Sequence, residues 1–156
     1  GAKGDLHSDD TAAMQAALDD EACQVVFLPK GYYAVSRTLT MRSNQSLVGA
    51  SRLLSNIVPH SSISPLVPPT NSSTLSVSGW PLLRTAAGVD DRSTVALLSI
   101  LIWHHVNATY AVHWRSGSGQ WREAHVNRVD LDPGRIAPAA FYNQPLFFVD
   151  TTGGGR

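Results

Sequence analysis

An all-β solenoid of short parallel strands, closed at its N-terminal end by one helix, is the fold class this sequence predicts. Three observations carry it. Short apolar runs recur at the length of one solenoid turn: Val25–Leu28 and Ser46–Gly49 start about 21 residues apart, and Tyr32–Val35 and Asn56–Val58 about 24 apart. A single helix signature stands near the start, and the chain beyond it is β-like almost to the end. No Asn-Gly or Asp-Gly pair occurs, so the tight turns that an antiparallel sandwich would need are missing.

The helix is expected over residues 9–20. Asp9, Asp10 and Thr11 stand before an Ala- and Leu-rich run, where short acceptor side chains cap free N–H groups and carboxylates favour the positive end of the dipole. Ala13, Met14, Ala17 and Leu18 then fall on one narrow face, which suits a helix lying close against something flat. Such a lid has a purpose. The first coil of a solenoid exposes apolar interior and unpaired strand edges, and an amphipathic cap covers them.

After the helix, Gln24–Leu28 reads as a strand closed by Pro29-Lys30-Gly31, a turn sequence. Tyr32–Ser36 and Thr38–Met41 come next, with Leu39 and Met41 on one side. Arg42–Gln45 is a polar turn before Ser46–Gly49, and Pro59 closes the run Asn56–Val58. Residues 59–93 break the rhythm with Pro59, Pro65, Pro68, Pro69 and Pro81 and many Ser and Thr, an inserted loop region with one strand at Thr74–Ser78. The rhythm returns with a buried strand from Val95 to Trp103. It continues through Tyr110–Arg115 and Trp121–Leu131 to Phe147–Val149, which is expected to follow Ala96–Ile100 and Ala124–Val129 in one series. Pro133–Pro145 is another corner loop.

Several ordered motifs also carry a family resemblance. Gly1-Ala-Lys-Gly-Asp5, Asp9-Asp-Thr-Ala-Ala13, Gln15-Ala-Ala17, Val26-Phe-Leu-Pro-Lys-Gly-Tyr-Tyr33 and Leu47-Val-Gly-Ala-Ser51 resemble the N-terminal part of pectate-lyase-superfamily proteins. That group includes polygalacturonase-like enzymes, exo-β-1,3-glucanases and phage tailspikes. The pattern departs at Leu6-His7-Ser8, where the family has a small turn. The resemblance implies a right-handed, single-stranded parallel β-helix. It also implies a carbohydrate-active extracellular protein, a glycoside hydrolase or polysaccharide lyase, with a polysaccharide or oligosaccharide as partner. The competing expectation is a glycan-binding or structural module, tailspike- or adhesin-like, that cuts nothing.

Composition narrows the field. Across 156 residues, 12 basic and 12 acidic residues cancel and only 15% of the chain is charged, so the electrostatic footprint of a nucleic-acid binder is missing. No apolar run reaches the roughly 18 residues of a membrane-spanning helix. Cys23 is the single cysteine, which rules out an internal disulfide. The sequons Asn44-Gln-Ser46, Asn71-Ser-Ser73 and Asn107-Ala-Thr109 hint at secretion from a glycosylating cell. The glycine run Gly153–Gly155 ends in no cap, and the chain is expected to be the N-terminal part of a longer β-helix domain whose further C-terminal coils would be its partner.

In such a fold the interior is filled, so chemistry belongs on an outer face or at a corner. Alternation through 121–127 places Trp121, Glu123, His125 and Asn127 together, and His113 and Arg115 share a face of the preceding strand. An indole, a carboxylate, imidazoles, an amide and a cation suit sugar binding, because rings stack on sugar faces while polar groups bond hydroxyls; a solvated outer sheet face explains the same pattern. Asp130 and Asp132 share one side of a strand, as a paired site or as a polar turn, and Asp90-Asp91 reads as the start of a turn. No catalytic residue can be assigned from a motif. No metal or cofactor is expected: His104 and His105 are adjacent and would point to opposite faces of a strand, and no glycine loop suited to phosphate is present.

Overall fold

A computed structural model describes residues 1–60, 81–103, 110–129 and 146–150. The expected strand Thr74–Ser78, the pair His104-His105, Asp130 and Asp132, and the sequons at Asn71 and Asn107 lie outside the described residues.

Thirteen strands and one helix succeed each other along the described chain. They are β1 (Asp5–Asp9), α1 (Thr11–Asp19), β2 (Val25–Leu28), β3 (Gly31–Val35), β4 (Leu39–Thr40), β5 (Ser46–Gly49) and β6 (Ser55–Pro59). Then come β7 (Pro81–Arg84), β8 (Thr94–Ala96), β9 (Ser99–Trp103), β10 (Tyr110–Trp114), β11 (Gln120–Arg122), β12 (His125–Val129) and β13 (Phe147–Val149). Three sheets collect them: a first sheet β1-β3-β6-β9-β12, a second β11-β8-β5-β2 and a third β13-β10-β7-β4. Every pairing between named strands is parallel. The chain visits second, first and third sheet in strict rotation, so this is an all-β parallel β-helix.

The periods seen in the sequence are the coil spacings. Val25 pairs with Ser46, and Tyr32 with Asn56. Alternation within each strand sends one set of side chains inward, where they stack in columns between coils. Val26, Leu47 and Val95 form one column, Tyr33, Ile57 and Ile100 another, and Leu39, Leu83 and Val112 a third. All of these are buried. Each fully buried aliphatic side chain contributes about 1.5–3 kcal/mol relative to exposure, so the columns supply the main cohesion along the axis.

In the first coil, α1 occupies the place in the chain that a third-sheet strand takes in every later coil, and it packs on β4. Met14 and Leu18 enter the core from the expected face. Its C-terminal carbonyls, which a helix leaves unpaired, are satisfied from the next coil. Arg42 Nε donates to Leu18 O at 2.7 Å and its Nη2 to the carbonyls of Asp20 and Cys23, while buried Gln45 donates through Nε2 to Leu18 O and Cys23 O, both at 3.0 Å. The Arg42 cation also complements the negative end of the helix dipole.

The N-terminus of α1 differs from expectation. Asp9 does receive the Thr11 amide at 3.0 Å, but Asp10, at the N-cap position, makes no capping bond. Its buried carboxylate turns back to accept the amides of Lys3 at 2.7 Å and Gly4 at 3.0 Å. Asp10 thereby pins the residues that lead into β1, a strand with no apolar alternation to announce it.

Two other expectations are corrected. The apolar run Val95–Trp103 is not one strand: Leu97, with φ of 55°, turns a corner between β8 and β9. Phe147–Val149 pairs with β10 in the third sheet and not with the first-sheet strands β9 and β12 of that series. Within the stretch 59–93, Pro59 belongs to β6 and residues 81–84 form β7.

Asp91 holds consecutive coils in place at their corners. It accepts from Ser43 Oγ and the Asn44 amide, both at 2.7 Å. Burial pushes its carboxyl up, but hydrogen bonds from Ser116, Ser43, the Asn44 amide and Ser93 outweigh that and hold it below the usual carboxylate range. A depressed carboxyl stabilises the fold above its unfolded pKa of about 3.9 and loses that contribution as pH falls toward its folded value. Asp91→Asn should therefore unfold at lower urea than the parent at pH 7, and the gap should close as pH drops below about 4. Gly49 sits under the Leu97 corner, where an added Cβ would lie 2.2 Å from Leu97 O. Gly49→Ala should cost about 3 kcal/mol in the same urea titration, the upper end of overpacking.

Candidate functional site

The six residues singled out in the sequence do not share one face. Glu123 has φ of 46° and turns the chain between β11 and β12, so alternation does not run through 121–127. Trp121 pairs with Val95 and lies on the inner side. Its ring meets Phe147 edge-on at 5.0 Å and Trp114 at 6.0 Å, and its Nε1 donates to Ala124 O at 2.7 Å. It is a core residue of the last described coil. Glu123 is exposed at the corner, and His125 and Asn127 are exposed on the outer side of β12 in the first sheet.

His113 and Arg115 sit elsewhere, on the third sheet and just past it. His113 pairs with Arg84 and Phe148 on its neighbouring strands. Its ring lies 5.2 Å from that of Phe148, and its Nε2 is 3.7 Å from Asp150 Oδ2. Burial lowers the His113 pKa, the Arg84 and Arg115 cations lower it further, and Asp150 opposes them. The imidazole therefore favours its neutral form. Arg115 is anchored through its backbone, its amide donating to Thr85 Oγ1 at 2.7 Å.

A second cluster emerges at the corner that leads into the first sheet. Gly4, Lys30, Gly31, Tyr32, Leu53 and Leu54 line an open groove of ≈ 320 Å³. They come from three successive coils. The floor is bare backbone: Gly31 N donates to Leu54 O at 2.9 Å, and Tyr32 N to Gly4 O at 2.8 Å. Gly4 adopts φ of +61°, and a Cβ on Gly31 would come within 3.0 Å of Gly4 backbone atoms. Only glycine allows strands to meet this closely while leaving the groove open. Tyr32 is 44% exposed and Leu53 75% exposed, so an aromatic ring and aliphatic chains stand in solvent beside the Lys30 ammonium.

From this groove a ladder runs along the axis on the first sheet. Tyr32, Asn56, Ser99 and His125 are register partners in β3, β6, β9 and β12. Asn56 and Ser99 are buried, Ser99 Oγ donates to Arg52 O, and Arg52 Nη1 reaches His125 Nε2 at 3.3 Å. Arg52 belongs to the same turn as Leu53 and Leu54, and so links groove and ladder. At the ladder's N-terminal end, Asp5 pairs with Tyr32. Hydrogen bonds from the Ser8 amide and hydroxyl and the His7 amide hold the Asp5 carboxyl at about 2. Asp9 is also held at about 2, where bonds from Ser36 and Thr11 outweigh the effect of burial. Both are firm carboxylates near neutrality and poor proton donors.

Sequence reasoning overlooked the groove because Lys30-Gly31-Tyr32 reads as a turn and a strand start, and Leu53-Leu54 falls in no motif or periodic run. Their exposure was the only possible signal, and it exists only after folding. The family model described as Rhamnogalacturonase A/epimerase, pectate lyase-like matches residues 1–78, half of the 156. No curated protein and no solved structure gives a significant match. Because Trp121 packs against the core, Trp121→Ala should cost about 3 kcal/mol of stability in chemical denaturation.

Proposed function

Because this chain belongs to the rhamnogalacturonase A/epimerase, pectate lyase-like family, whose members are carbohydrate-active, we propose that it is part of an extracellular protein acting on polysaccharide, a glycoside hydrolase or polysaccharide lyase. One observation carries the reading: an exposed Tyr32, the Lys30 ammonium and the bare floor at Gly4 and Gly31 form an open groove beside the axial ladder. Tyr32 offers a ring on which a sugar face stacks, and Lys30 offers a donor for hydroxyl or carboxylate oxygens. Open grooves suit chains, which must extend beyond the site at both ends, better than enclosed cavities do.

A second reading has its own support. Glycosidases need two carboxyl groups across the scissile bond, one of them protonated, and the described lining of the groove contains no carboxylate. A glycan-binding module that leaves its ligand intact fits that lining as well. Rhamnogalacturonan, pectin and β-1,3-glucan should each be incubated with the protein, following binding by calorimetry and products by reducing-end and unsaturated-uronate assays. New ends or unsaturation support the enzyme; binding alone supports the module; neither on any polymer removes the carbohydrate reading. Tyr32→Ala should weaken binding about tenfold, about 1.4 kcal/mol, without shifting the melting temperature. Recovery of the protein from the culture medium of its source checks the extracellular assignment.

A further inference from the structure

We infer that Asn44 is an N-glycosylation site, displayed on the corner between β4 and β5 that is hydrogen-bonded to the end of the cap helix. Asn44-Gln45-Ser46 is an acceptor triplet with no proline at its middle position. The turn around it is tied on both sides. Arg42 and Gln45 hold the end of α1, while Asp91 accepts from Ser43 and from the Asn44 amide. Asn44 itself is exposed and adopts φ of 59° at the apex.

The side-chain amide is oriented by one bond. Asn44 Oδ1 accepts from the Arg92 amide at 3.0 Å. Among the described residues no hydrogen bond engages Nδ2. Oxygen and nitrogen leave the same carbon in divergent directions, so fixing Oδ1 against the next coil turns Nδ2 away from it. Glycosylation replaces one Nδ2 hydrogen and leaves Oδ1 an acceptor, so the modification costs the fold none of these bonds. Ser46, the third residue of the triplet, starts β5 and is partly exposed on the outer side of the second sheet.

The sugar donor is a polyprenyl-diphosphate-linked oligosaccharide, supplied with its transferase by the secretory compartment. The Asn44 amide nitrogen bonds to the anomeric carbon, the bond from that carbon to the diphosphate oxygen breaks, and the diphosphate leaves. The proton lost from nitrogen passes to the transferase's base. The structure also sets the timing. Gln45 is buried, and its bonds to Leu18 and Cys23 lock the turn once α1 has docked, so transfer must precede closure of this coil.

The inference rests on the extracellular part of the proposed function, and its test separates the two. Protein purified from its own source is treated with peptide N-glycosidase in heavy-oxygen water, and the peptide containing Asn44 is read by mass spectrometry. The expected result is heavy-labelled Asp at position 44 in most molecules. Ser46→Ala, which breaks the triplet and keeps Asn44, should lose the mass of one glycan while retaining the parent's melting temperature. An unlabelled Asn44, or an unchanged glycan mass in Ser46→Ala, overturns the inference. If that protein was collected from the medium, the extracellular assignment survives without it.

Discussion

A single coil of this chain cannot satisfy its own backbone. Each strand pairs only with the coil before it and the coil after it, so every N–H and C=O that points along the axis needs a neighbouring coil in register. That requirement accounts for the parallel pairings, the columns of buried side chains and the helix at the first coil. Where no earlier third-sheet strand precedes β4, α1 covers its place and packs its Met14–Leu18 stripe on the exposed end of the core. An amphipathic helix does this well because its own hydrogen bonds are internal and its far side is polar.

The same requirement explains where polar residues are buried. Corners interrupt the ladders, and their backbone groups must be met by side chains. Arg42 and Gln45 meet the carbonyls at the end of α1. Asp91 meets Ser43 and the Asn44 amide from the following coil. Asp10 meets Lys3 and Gly4. These contacts add specificity to a core whose cohesion is hydrophobic and nondirectional: they determine which coil sits on which, and a one-residue slip would leave charged or polar groups buried without partners.

Function is confined to the outside by the same logic. The interior is occupied by columns, so Trp121, although aromatic and polar-tipped like a sugar platform, is used for packing against Trp114 and Phe147. Tyr32 has the same chemistry on the opposite parity of its strand and stands in solvent. Its surroundings are drawn from the residues before β1, the β2–β3 corner and the β5–β6 corner, stacked by the coils. The groove is thus a product of stacking rather than of any contiguous segment. It is open and lies along an axis of repeating strands, features suited to a polymeric ligand.

By itself, the sequence determined the architecture. The 21- and 24-residue spacings state the coil length, the alternation of Leu39 and Met41 states an inner face, and the Asp-Asp-Thr signature before an Ala- and Leu-rich run states the cap helix, because all three are written in local sequence. Tertiary structure alone decided the corners. Leu97 and Glu123 turn in left-handed conformations that no residue preference announces, and each resets the parity that alternation would carry forward. The Glu123 turn separated the inward Trp121 from His125 and Asn127, the placement of β10 and β12 in different sheets separated His113 from His125 and Asn127, and Phe147–Val149 pairs in the third sheet. Coil stacking also gathered Gly4, Lys30, Tyr32 and Leu53 into one groove. Periodicity along a strand is written residue by residue, whereas the direction of a corner is settled by what the next coil must pair with.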